Sequence, residues 1–185
     1  MAARRAERAQ ADRRVLLQRA VAQLEAEGWG ALAPLAETGL RSLDEQPEGL
    51  LFLDEDDLRD GFLAVLGEAG LVRAVEAWAA HLEEEGELWR RRLRLQVREP
   101  RLAARRAELD EAWRQGLRAH FTRWGAAGPA GARTSALEAE LVLAALRGAQ
   151  RLWVEVQGRP VLPVLAQEAL ATLWPALYAH ARKGR

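Results

Sequence analysis

The stretch LEAELVLAALRGAQRLWVEVQGRPVLPVLAQEALATLWPAL, residues 137–177, decides the fold. Leu137, Leu141, Ala144, Ala145, Gly148, Leu152 and Trp153 recur every three or four residues, the spacing of one helix face. Thr134 or Ser135 is placed to cap this helix, and Glu138 to complete a capping box from Ser135. Gly158-Arg-Pro160 then turns the chain. A closing helix over about 162–182 carries Leu165, Ala169, Leu173 and Leu177, with Pro175 in its interior.

Working back from this pair, GAAGPAGAR (125–133) reads as a loop. Pro100 opens a helix that ends at Gly125, because proline at the first helical position gives up an N–H that has no partner there. A long helical stretch runs from Leu71 to Val97, with a break near Gly86. Before it, a helix begins near Asp54 and continues through Leu58, Phe62, Val65 and Leu66 to Gly67. Its opening Asp54-Glu-Asp-Asp places acids where the helix dipole favours them. Residues 31–52 are broken by Pro34, Gly39, Pro47 and Gly49, which leaves room for one or two short helices. The first helix spans Arg5 to Glu27, with an inner stripe of Leu16, Leu17, Ala20, Val21 and Leu24, and Gly28 ends it. β-Branched residues are few and no repeat is evident, so the fold class is all-α.

Composition sets the outer bounds. The 185 residues are 49% apolar, with 27 basic and 27 acidic side chains, which suits one or two globular domains. Without cysteine there is no disulfide or thiolate chemistry. No apolar run approaches the roughly 18 residues a membrane span needs. The N-terminal MAARRAERAQADRR lacks the apolar segment of a secretory leader, so a cytoplasmic location is expected. Lys183 is the one lysine, and asparagine and isoleucine do not occur, a bias that fits a GC-rich bacterial genome.

Two segments carry a family likeness. RLRLQVREPRLAARRAELDEAWRQGLRAHF (92–121) and 137–177 resemble the middle and closing helices of the TetR/AcrR regulators, on the Arg-rich helix before Pro100, Leu146-Arg-Gly148, Trp153, Gly158, Pro160 and the Leu-Trp-Pro-Ala-Leu end. RRVLLQRAVAQLEAEGW (13–29) resembles the family's opening helix. Phe52 and Leu58 lie 24 and 30 positions past Gly28, where the family places an aromatic and an apolar residue. The resemblance implies a helix-turn-helix domain over 1–53 and a ligand-binding and dimerisation domain over 54–185. It implies a homodimeric one-component regulator, a repressor in the usual case, without enzymatic activity or cofactor. Double-stranded DNA would be the partner, and a small apolar or aromatic ligand would release it by moving helix 54–67.

By the same resemblance, Arg4, Arg5, Arg8, Arg13, Arg14, Arg41 and Ser42 would meet DNA, with a solvated helix start as the plainer reading of the arm arginines. Trp78, Trp89, Trp113, His120, Phe121 and Trp124 would line the ligand pocket, or the tryptophans would be ordinary core. Leu141, Ala145, Gly148, Leu152, Leu173 and Leu177 would form the dimer interface.

The interior of the first domain departs from the family. Where Gly-Val-Ser, then Leu-Tyr, then a basic residue are usual, the chain has Ser42-Leu43-Asp44, Glu48-Gly49 and Glu55. Residues 37–60 hold nine acids against two arginines, a net of −7, and an acidic face repels phosphate. A second reading follows: a relative that keeps the dimeric core but has lost sequence-specific DNA binding. The basic zone Arg90, Arg91, Arg92, Arg94, Arg98, Arg101, Arg105 and Arg106 could bind an anion, although pairing with Glu83, Glu84, Glu85, Glu108 and Glu111 is the ordinary outcome. His81, His120 and His180 have no metal-spaced neighbour, and no nucleophile motif accompanies Ser42 or Ser135, so neither a metal nor an enzymatic role is expected.

Overall fold

The structure, a computed structural model, describes residues 2–32, 34, 47–125, 127–157 and 159–173, with their side chains from residue 12 onward except at 47. Its described residues form seven α-helices and no strand: α1 (Ala2–Glu27), α2 (Glu55–Ala69), α3 (Leu71–Glu84), α4 (Gly86–Arg98), α5 (Pro100–Trp124), α6 (Gly128–Glu155) and α7 (Leu162–Leu173). Short 3-10 turns at Trp29–Ala31 and Pro47–Phe52 lie between α1 and α2.

Most boundaries follow local chemistry. Gly28 closes α1 with φ +77° and ψ −169°, backbone that a Cβ would strain. Pro100 opens α5, Gly125 ends it, and the long stretch from Leu71 breaks at Glu85 beside Gly86. Other expectations are corrected. α2 runs past Gly67 to Ala69 and stops at Gly70, which has φ +82°. GAAGPAGAR is not a loop throughout, for α6 starts at Gly128 with Pro129 in its first turn and the alanines sustain it. Ser135 is therefore a buried mid-helix residue rather than a cap, and the Thr134 hydroxyl donates to the Ala130 carbonyl one turn back. The expected tail of the last helix, 174–182, lies outside the described residues, as does most of 33–46.

Two apolar cores result. The larger is built from α2, α3, α6 and α7 with Trp89, Leu93, Trp113 and Leu117, and includes the edge-to-face pair Phe62–Trp113 with ring centroids 5.3 Å apart. The smaller gathers Leu17, Val21 and Leu24 of α1 and Leu50, Leu51 and Phe52 around Leu95, Leu102 and Leu109 of α4 and α5. The N-terminal helices thus complete their core with residues of the larger half. Trp29 Nε1 strengthens this junction by donating to Glu99 Oε2 at 2.8 Å, under the guanidinium of Arg101.

Two glycines make opposite predictions. A Cβ at Gly125 would lie 2.7 Å from the Phe121 carbonyl oxygen, whereas one on Gly61 in α2 meets nothing within 4 Å. In urea unfolding, Gly125→Ala is expected to cost about 1 kcal/mol or more. Gly61→Ala should add roughly 0.5–1 kcal/mol by removing backbone entropy from the unfolded chain.

Candidate functional site: a buried charge cluster beside a cavity

The polar centre of the molecule is Glu55, the first residue of α2, whose carboxylate is wholly buried. Three helices bring arginines to it. Arg92 of α4 donates from Nη2 to Oε1 at 2.9 Å and from Nη1 to Asp54 Oδ1 at 2.6 Å. Arg106 of α5 places Nη2 2.9 Å from Oε1. Arg147 of α6 has Nη2 3.9 Å from Oε2, and donates from Nε to Asp110 Oδ1 at 2.9 Å. Aromatic faces cover the guanidinium groups: Trp89 lies 4.0 Å from Arg92, Phe52 5.0 Å from Arg106 and Trp113 5.6 Å from Arg147.

Burial alone would raise the Glu55 pKa, but the charges of Arg106, Arg147 and Arg92 outweigh it and hold the carboxyl at about 2. Burial and the neighbouring charge of Arg106 lower the pKa of Arg147, against the pull of Glu55 and Asp110. Each charge is costly to bury alone and tolerable only in company.

A cavity of about 680 Å³ opens between α4, α5 and α6 next to this cluster. Arg106, Arg147 and Asp110 belong to both. Its walls are amphipathic: Leu93, Val97, Ala103, Ala107 and Val154 supply apolar surface, and Arg94, Arg98, Arg114 and Arg151 supply further cations. Gln96 accepts from Arg106, and Gln150 accepts from Arg147 at 2.9 Å.

The residues singled out by sequence fall in several places. Trp78, Trp89 and Trp113 are buried core, Phe121 packs at the core's edge against His120, and Trp124 is 71% exposed. None of these six lines the cavity just described, whose walls come from other faces of α4 and α5. His120 titrates lower than usual, through burial and then the charge of Arg123.

Arg13 and Arg14 are half-exposed and paired with acids of the larger half, Arg13 with Asp57 at 2.8 Å and Arg14 with Glu85 at 2.7 Å. The backbones of Arg4, Arg5 and Arg8 lie on α1, and their side chains, like the whole of Arg41 and Ser42, are outside the described residues. On α6 and α7, Leu152 and Leu173 are exposed, Gly148 is partly exposed with open space beside it, and Leu141 is half-buried against the core. Ala145 is 1% exposed and faces the chain's own core with Val142, Leu146 and Ala149, while Ala144 takes the outer position. Leu177 lies outside the described residues.

The basic zone does not pair as expected. Arg105 does meet Glu108, but Arg90 and Arg94 turn to Glu87, and Arg92 and Arg106 are drawn inward to Glu55. Sequence reasoning missed Glu55, Arg147 and Gln150 as a site. Their signal was present: Arg147 and Gln150 interrupt an otherwise apolar helix face that includes Leu143 and Leu146.

The chain is all-α among its described residues, with a short N-terminal helical unit and a larger helical half that holds the cavity. The family model for the MftR C-terminal domain matches residues 68–178. The chain belongs to the TetR family of regulators. No curated protein and no solved structure matches it. Among the described residues no helix is long and apolar enough to cross a membrane.

The buried carboxylate has a direct consequence. Because the Glu55 pKa is depressed in the folded state, its contribution is full above the ordinary value of 4.5 and fades as pH falls toward 2. It amounts to something on the order of 3 kcal/mol. Urea midpoints measured from pH 7 down to pH 3 should decline most steeply below about 4.5. Glu55→Ala should cost about 3–5 kcal/mol at neutral pH, since it strands buried guanidinium charge.

Proposed function

We propose that this chain is a homodimeric, ligand-responsive transcriptional regulator of the cytoplasm. Residues 1–53 would bind double-stranded DNA, repressing transcription until a small ligand enters the half formed by 54–185. The observation that carries this reading is the position of Glu55. It opens the helix that follows the N-terminal unit, and it is held by arginines that also wall the cavity. A ligand that disturbs those arginines acts on the start of α2, and through it on Leu50–Phe52 and α1. Coupling of this kind requires that the ligand bind one arrangement of the helices better than the other. The ligand site preferred here is the α4–α5–α6 cavity rather than the tryptophan core.

The ion pairs also favour DNA binding over the degenerate alternative. Asp54 and Glu55 are already matched by arginines from outside residues 37–60, Arg92 with both and Arg106 with Glu55. The net of −7 read from sequence therefore overstates the field that a duplex meets. Arg13 and Arg14 would exchange exposed ion pairs, each worth about 0.2–1 kcal/mol, for phosphates.

Dimerisation is proposed through α6 and α7. Their outer faces carry exposed Leu137, Ala144, Leu152, Val164 and Leu173 around Gly148, an apolar strip of the kind a two-fold helical bundle buries. Ala144→Arg adds charge at an exposed position and should leave the helix content intact while sedimentation shifts from dimer to monomer. An unchanged sedimentation coefficient would remove this interface.

For DNA, the test is fluorescence anisotropy with the segment upstream of the chain's own gene. Binding should weaken steeply with salt, and Arg13→Ala with Arg14→Ala should reduce both affinity and salt slope. Absence of binding even at low salt would leave the degenerate reading in its place.

A further inference from the structure

Around the cavity, three hydrogen-bond donors have no partner. They are Nη1 of Arg106, Nε2 of Gln96 and Nε2 of Gln150, all buried. The two amide oxygens are taken by Arg106 and Arg147, which leaves each amide nitrogen as the unmatched donor. A buried donor left unmade carries its full desolvation penalty, so the site favours an acceptor. Cations outnumber acids on the walls, and neither Arg98 nor Arg151 is paired with a carboxylate among the described residues. The rest of the lining is apolar.

We propose that the cavity binds an amphipathic anion, with a carboxylate or phosphate head on Arg106, Arg147 and the two glutamines and an apolar body along Leu93, Val97 and Val154, and that this head competes with Glu55. The inference rests on the cavity being the effector site and names the chemistry of the effector. Glu55 is itself an anion already bound to Arg106 and lying near Arg147. A second anion reaching the same guanidinium groups from the cavity side shares their charge and loosens the hold on α2. An uncharged ligand of the same shape fills the apolar walls but makes no such claim on the arginines. The ligand's charge, rather than its bulk, therefore carries the signal.

Isothermal titration of the full chain with decanoate, decyl phosphate and decanol tests this without DNA. At least one of the two anions should bind tenfold or more tighter than decanol, with an affinity that falls as salt rises. Whichever anion binds tighter identifies the head group. Glu55→Gln removes the internal competitor, and should tighten binding of that anion about tenfold while leaving decanol unchanged. If that variant does not fold, Arg98→Ala with Arg151→Ala decides the question. Both positions are exposed, and their loss should weaken the anion severalfold and spare decanol. Equal binding of anion and alcohol, or no anion binding, overturns the proposal. So does a folded Glu55→Gln chain, or a folded Arg98→Ala/Arg151→Ala chain, with wild-type anion affinity. A chain that binds the anion but no DNA would keep this inference and defeat the regulator reading instead.

Discussion

Four helices of the larger half meet at one buried carboxylate. Glu55 comes from α2, Arg92 from α4, Arg106 from α5 and Arg147 from α6, with Asp110 of α5 steadying Arg147. Desolvating such a group is costly, and an apolar replacement of equal volume would stabilise the fold as well or better. The cluster is thus poorly explained as a stabilising device. It fixes how the helices are registered, because the charges are tolerable only when all are in place. It also makes the start of α2 sensitive to anything that alters the arginines. That sensitivity is what the proposed ligand response needs between the cavity and the N-terminal unit.

The same logic of shared residues runs through the rest of the molecule. The core of the N-terminal helices is not self-contained, since Leu95, Leu102 and Leu109 complete it. Trp29–Glu99, Arg13–Asp57, Arg14–Glu85 and Arg91–Glu25 add polar ties between α1 with its following turn and the larger half. Exposed ion pairs are individually weak and easily exchanged. The apolar junction sets the position of α1, and the ion pairs leave its arginines available for other anions.

Much of the fold was legible in the sequence, where a single residue forces the backbone. Pro100, Gly28 and Gly125 marked helix ends because φ and N–H chemistry leave few choices there. The start of α6 was misread because Gly and Pro in 125–133 suggest a loop, yet Pro129 falls in a first turn that needs no N–H. Ser135 and Ala145 show the limit of local rules. Whether a serine caps or is buried, and which of two adjacent alanines faces inward, depends on what packs against the helix. The charge cluster was harder still. Acids at 54–57 read as a dipole-favoured first turn, which they are, but that reading does not say that Glu55 is covered while Asp56 and Asp57 remain exposed. Its arginines come from segments 37, 51 and 92 positions away, a convergence that only the tertiary fold makes.

The most direct measurement of the central interaction is a double-mutant cycle between Glu55→Gln and Arg147→Gln, followed by urea unfolding at neutral pH. If the buried charges act as one unit, the two penalties will fall short of additivity by at least about 1 kcal/mol. Penalties that add to within about 0.3–0.5 kcal/mol would mean that Arg147 and Glu55 are energetically independent, and the cavity would then have no such route to α2.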